Sequence, residues 1–108
     1  MFGDRGGAQA GRMFTLHVDN TVHDFDSWKE VFDRYEDFRR SRGVRSYRVV
    51  RAADDPQRVL VDLDFDDEAT AVAFRGALDK VWASPASREQ LAAHREPMLL
   101  DVVVQRTL

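Results

Sequence analysis

Hydrophobic and polar positions alternate from Met13 to Val22. Phe14, Leu16, Val18 and Val22 fall on one face, and Thr15, His17, Asp19 and Thr21 on the other. A period of two predicts a strand with one apolar face. From Val22 the period changes. Phe25, Trp28, Val31, Phe32, Tyr35 and Phe38 recur every three or four residues, which predicts one amphipathic helix running to Gly43. Asp24 or Asp26 can cap its N-terminus, and acid there suits the positive end of the helix dipole. Arg39, Arg40 and Arg42 crowd the last turn, and Gly43 supplies a left-handed residue beyond it. Five of the chain's eleven aromatic side chains lie on this stripe, so the main core is expected beneath it.

Val44 to Ala52, rich in Val, Tyr and Arg, reads as a second strand. Residues 53–57, Ala-Asp-Asp-Pro-Gln, read as a turn. Arg58 to Phe65 is the third strand, with Val59, Val61, Leu63 and Phe65 facing one way and Leu60, Asp62 and Asp64 the other. Asp66-Asp67-Glu68 opens a second helix whose stripe is Ala71, Phe74, Leu78, Val81 and Trp82. Gly76 in its middle costs about 1 kcal/mol against Ala, and close packing on the sheet is the expected reason for it. Ser84-Pro85 ends this helix and starts a short third one, in which Ser87-Arg88-Glu89-Gln90 matches a capping box and Pro97 is the stop. Met98 to Leu108 is the last strand.

The order β-α-β-β-α-(α)-β is that of the ferredoxin-like split unit. The expected fold class is therefore α+β, with an antiparallel sheet in the order 4-1-3-2 and the helices on one face. The other sheet face carries His17, Asp19, Leu60, Asp62 and Asp64, with Leu99, Asp101 and Val103 or their neighbours from the last strand. It is too mixed for a second core and too apolar near its centre for open water. A second copy of the chain covering it, a homodimer packed sheet to sheet, accounts for both features. A monomer with one solvated sheet face is the alternative.

Composition narrows the function classes. At 108 residues the chain suits a single domain over 13–108, preceded by a flexible tail over 1–12 that holds four of the six glycines. Hydrophobic residues make up 44% and charged residues 32%, as in ordinary globular proteins. The net charge of −3, with charges interspersed, implies no nucleic-acid partner. Without cysteine there is no disulfide, catalytic thiolate or cysteine-held metal. No apolar run approaches the roughly 20 residues of a membrane span, and no leader segment stands out. A cytoplasmic protein with no membrane partner is expected.

The run from Val22 to Asp33 (Val-His-Asp-Phe-Asp-Ser-Trp-Lys-Glu-Val-Phe-Asp), the helix exit Arg39…Gly43-Val44, the hairpin Arg48-Val49…Asp54-Asp55-Pro56, the helix start Phe65-Asp66-Asp67 and Ser84-Pro85 carry a resemblance. From Met13 to Leu108 the chain resembles small dimeric α+β-barrel proteins of the antibiotic-biosynthesis-monooxygenase-like superfamily, many of them labelled only as cyclases. The resemblance implies a ferredoxin-like dimer with a ligand cleft between sheet and helices in each protomer. Members include cofactor-free oxygenases of polycyclic aromatics, polyketide cyclases, isomerases, haem proteins and domains with no known reaction. It also implies a histidine two residues before the valine of the V-x-D-[FY] run. This chain departs from that pattern, with Asn20 in that place.

The candidate chemistry is sparse. His17, on the polar side of the first strand, falls near Asp62 or Asp64 and Asp101. Such a pair can act as a general base or as an ionic contact across a dimer interface. His23 reads as a loop residue and His94 as an exposed residue of the short helix. The three histidines show no metal-ligand spacing. Asn20 points toward the helices by parity. A primary amide among Leu16, Val18 and Val22 needs backbone, water or a ligand as partner. Trp28 and Trp82 are core residues or aromatic walls for a flat ligand. Tyr47 and Arg48 alternate, so one faces inward. The site expected is Asn20 and His17 as catalytic candidates, with Trp28, Tyr47 and Trp82 binding a small hydrophobic or aromatic molecule. No metal and no cofactor are expected. The leading reading is a homodimeric small-molecule-binding protein, as an enzyme a cofactor-free monooxygenase or cyclase of an aromatic polyketide-like metabolite. The rival is a non-catalytic ligand-binding or dimerisation module.

Overall fold

The computed structural model describes residues 13–108, so the expected 1–12 tail lies outside the described residues. β1 (Phe14–Val22) leads into α1 (Phe25–Arg34) and α2 (Glu36–Ser41), followed by β2 (Ser46–Ala52) and β3 (Asp55–Phe65). Then come α3 (Glu68–Trp82), α4 (Pro85–Gln90), β4 (Leu91–His94) and β5 (Met98–Asp101). The sheet is antiparallel in the order β2-β3-β1-β4, with β5 also on β1. With β5 as the expected last strand, which ends at Asp101 rather than Leu108, this is the ferredoxin-like 4-1-3-2 order that the sequence predicts. No helix among the described residues is long and apolar enough to cross a membrane.

Alternation sets the layers. Leu16 pairs with Leu63 and Val18 with Val61, and these residues, with Phe14, Val22, Val59 and Phe65, bury against Trp28, Ala71 and Phe74 of the helices. The helix starts are capped. Asp24 Oδ2 accepts from the Ser27 amide at 2.9 Å, and Asp67 Oδ1 from the Thr70 amide at 2.8 Å.

Several boundaries differ from the sequence reading. The expected single helix to Gly43 tightens at Tyr35, whose amide bonds back to the Phe32 carbonyl at 3.1 Å, and it resumes as α2. The turn is only Ala53-Asp54, and β3 begins at Asp55. The cap of α4 is Ser84, whose Oγ accepts from the Ser87 amide at 3.3 Å, so the Ser87 capping box is not used. That helix stops at Gln90 rather than near Pro97. Pairing with β1 draws Leu91–His94 into a strand, which puts His94 on β4 instead of a helix. β5 and β4 share one edge of β1, along its first and last residues respectively. Gly76 is exposed and has open space where a side chain would sit, so close packing does not explain it.

On the face away from the helices, polar side chains pair across strands. Thr15 Oγ1 donates to Asp64 Oδ1 at 2.7 Å, and His17 Nδ1 lies 2.6 Å from Asp62 Oδ1. Asp19 receives Arg58 at 2.8 and 3.2 Å and Arg95 at 3.1 Å. From β5 this face takes Met98 and Leu100, opposite His17 and Thr15. Leu99 turns to the helix side and Asp101 lies opposite Phe14, away from His17.

Two outcomes test this packing. Gly43 has φ +94°, and a Cβ there would lie 2.5 Å from Thr70 Cγ2. Gly43→Ala should cost at least about 1–2 kcal/mol from the left-handed backbone alone. Adding Thr70→Ser should recover the steric part and leave the strain, as read by chemical unfolding. The Arg58 hydrogen bond holds Asp19 below the ordinary carboxylate value of 3.8. Because the folded value is lowered, its stabilisation is present above that ordinary value and lost as pH falls through the folded one. Asp19→Asn should therefore be less stable than the parent at neutral pH, with the difference closing in acid denaturation scans.

Candidate functional site

A cavity of about 80 Å³ lies between the inner sheet face and the helices. Its walls are almost wholly apolar and aromatic, with Trp28 and Phe32 from α1, Phe74 and Trp82 from α3, and Val18 and Val61 from the sheet. Trp28 stacks on Phe32 with ring centroids 4.8 Å apart, which fixes that wall. Trp82 is half-buried and stacks on His94 of β4 at 4.2 Å.

Asn20, Arg39, Ser87 and Gln90 interrupt these walls, and the first two hold a buried polar atom without a partner among the described residues. Asn20, 4% exposed, sits where the alternation of β1 aims it at the helices. Its Oδ1 is buried and has no hydrogen-bond partner among the described residues. Arg39, 5% exposed, comes from α2, and its Nε is likewise buried without a partner. An unpaired buried polar group costs roughly 1–3 kcal/mol, so these two are the polar atoms of the lining with most to gain from a partner.

Arg39 is held firmly on its other sides. Its guanidinium lies over the Phe32 ring at 3.7 Å and the Tyr47 ring at 4.8 Å. Its Nη2 donates to Glu36 Oε1 at 3.3 Å, and the Tyr47 hydroxyl donates to the same oxygen at 2.7 Å. The Tyr47 hydrogen bond first, and the Arg39 bond second, lower the Glu36 carboxyl from its ordinary value. Glu36 thus stays ionised at neutral pH, on the outer side of the guanidinium.

Of the residues the sequence singles out, Asn20, Trp28 and Trp82 line the cavity. Tyr47 does not line it. It faces the helices, opposite Leu63, and braces Glu36 and Arg39 from outside, while Arg48 takes the open face. His17 is on the opposite side of the sheet with Asp62 and has no access to this space. The sequence reading missed Arg39, taking it for helix-end charge. The signal was present: Trp28, Phe32, Tyr35 and Arg39 run at four-, three- and four-residue steps, so Arg39 continues the aromatic stripe. Among the described residues no group of three His, Asp or Glu side chains is placed to hold a metal.

No family model and no curated protein matches the chain. Solved structures do share its fold. SnoaB, a cofactor-independent oxygenase from Streptomyces nogalater, is 21% identical, with a TM-score of 0.63 over 91% of this chain and 98% of that one. A dimeric ferredoxin-like protein from an uncultured marine organism is 16% identical, with a TM-score of 0.64 over 88% and 99%. A protein from Nitrosomonas europaea classed with the antibiotic biosynthesis monooxygenases is 15% identical, with a TM-score of 0.65 over 84% and 90%. The fold is thus that of antibiotic-biosynthesis-monooxygenase-like and dimeric ferredoxin-like proteins.

Proposed function

We propose that the chain is a homodimeric, cytoplasmic small-molecule-binding protein that acts as a cofactor-independent oxygenase of an aromatic, polyketide-like compound. One observation carries the reading: an aromatic-walled cleft lined by two side chains that each hold a buried polar atom with no partner among the described residues, Asn20 Oδ1 and Arg39 Nε. A flat molecule with oxygens at its edge satisfies both the walls and the orphaned groups. The description of SnoaB as a cofactor-independent oxygenase agrees with this chemistry. An electron-rich hydroxylated ring supplies its own electrons to dioxygen. A ring methylene becomes a carbonyl with one oxygen atom, and its two hydrogens leave with the other oxygen as water. Asn20 and Arg39 orient the compound, and Trp28 and Trp82 hold its plane. The cavity is smaller than the roughly 150 Å³ that admits benzene, so binding moves a wall, and half-buried Trp82 is the one we assign. His17 belongs to the subunit contact.

The open sheet face supports the dimer. Val50 is 40%, Met98 57% and Leu100 37% exposed there, beside side chains already paired across strands. Apolar positions between satisfied polar ones suit burial against a second copy. The small cavity and the absence of a carboxylate or histidine from its lining favour a second reading, a binding module without catalysis.

A hydroxylated anthrone separates the two. An oxygenase consumes one dioxygen per anthrone and yields the quinone, whereas a module binds it without oxygen uptake. Asn20→Leu should keep or raise the melting temperature, because an apolar side chain needs no partner, while anthrone binding falls by about tenfold or more. A lower melting temperature with unaltered binding removes Asn20 from the site. Light scattering should give twice the 12.4 kDa chain mass at micromolar concentration. Met98→Asp, which puts an unpaired charge on the open face, should shift it to the single-chain mass.

A further inference from the structure

The two orphaned groups in the cleft differ in kind: Asn20 is neutral, and Arg39 carries a charge that no pH near neutrality removes. Tyr35 and Arg39 are the titratable side chains of the cavity lining, and no carboxylate is among them. Among the described residues the one carboxylate bonded to Arg39 is Glu36, 45% exposed and 3.3 Å away, so water screens much of its compensation. Inside the cleft, apolar walls lower the local dielectric, and a cation there favours the ionised form of any acidic group brought beside it. We infer that the Arg39 Nε–H anchors an ionised ring oxygen, a phenolate or enolate, of the aromatic molecule bound in the cleft. The inference rests on the cleft being an aromatic-binding site, as proposed above.

The geometry favours a one-oxygen anion. A carboxylate typically takes two parallel N–H groups of a guanidinium, whereas one N–H of Nη2 is given to Glu36 and Nε has a single N–H to offer. Nε is the guanidinium nitrogen left buried without an acceptor, and a single oxygen completes it. The rings of Phe32 and Tyr47 against the guanidinium keep the group from swinging out to water. Arg39 is thus a binding and specificity residue. It selects acidic hydroxylated aromatics over their ethers, and it prepares the ring in the electron-rich form that reacts with dioxygen.

4-Nitrophenol is a one-ring probe whose anion is coloured, and 4-nitroanisole is its counterpart without an ionisable oxygen. In absorbance titrations with the full chain, bound 4-nitrophenol should ionise at a lower pH than the free compound. Arg39→Met should abolish that shift and weaken anion binding by about tenfold or more, while leaving 4-nitroanisole binding unchanged. Glu36→Gln retains the Tyr47 contact and removes the opposing charge, so it should push the ionisation of the bound probe lower still. That variant lies outside the cavity, which keeps the test open should Arg39→Met fail to fold. Both probes binding with no ionisation shift in the parent, or a shift that neither variant alters, overturns the anchor and leaves the aromatic cleft standing. Neither probe binding overturns both.

Discussion

Every second residue of β1 and β3 faces the helices, and the antiparallel register locks the two strands in step, Leu16 against Leu63 and Val18 against Val61. A slip of one residue would expose that entire apolar set and bury His17, Asp19, Asp62 and Asp64 in its place. The register is therefore held on both faces at once. The inner face holds it by burial, and the outer face by the Thr15–Asp64, His17–Asp62 and Asp19–Arg58 contacts. Asn20 shares the phase of Leu16 and Val18, so the alternation that builds the core also carries an amide into it. The polar interruption in the cleft follows from the same constraint that makes the sheet.

The fold class and both apolar stripes were legible in the sequence because they depend on periodicity, which is local. Boundaries were less so. Leu91–His94 reads as helix from its neighbours, but the free edge of β1 beside Asn20–Val22 takes it as a strand. No local propensity competes with unmet backbone hydrogen bonds on a buried strand. The division at Tyr35 was invisible for a related reason: the stripe of aromatics continues through it, and only the geometry of Phe32 and Tyr35 shows the tighter turn.

The candidate site was legible by half. Asn20 was readable from parity and the two tryptophans from helical spacing, since both are questions of which face a residue takes. Arg39 was not, because a cluster of three arginines before a glycine also fits a helix end. Arg40 and Arg42 fit that role, being exposed, and of the three only Arg39 is buried. His17 illustrates the reverse error. Its chemistry made it attractive, but its parity with Thr15 and Asp19 already placed it on the face opposite the cleft.

The two side chains with unpartnered buried atoms differ in what they can do. An amide neither gives nor takes a proton near neutral pH, and a guanidinium stays protonated throughout. Where the resembling proteins are expected to carry a histidine, this chain offers a group that can hold and orient without exchanging protons. Tyr47 and Glu36 lie behind Arg39, outside the lining, so their hydrogen bonds fix the cation and do not reach into the cavity. No carboxylate or histidine stands among the described residues that line the cavity. On the reading proposed above, the protein contributes a fixed charge and aromatic walls. A compound that is already acidic and already electron-rich is the kind for which those two contributions suffice.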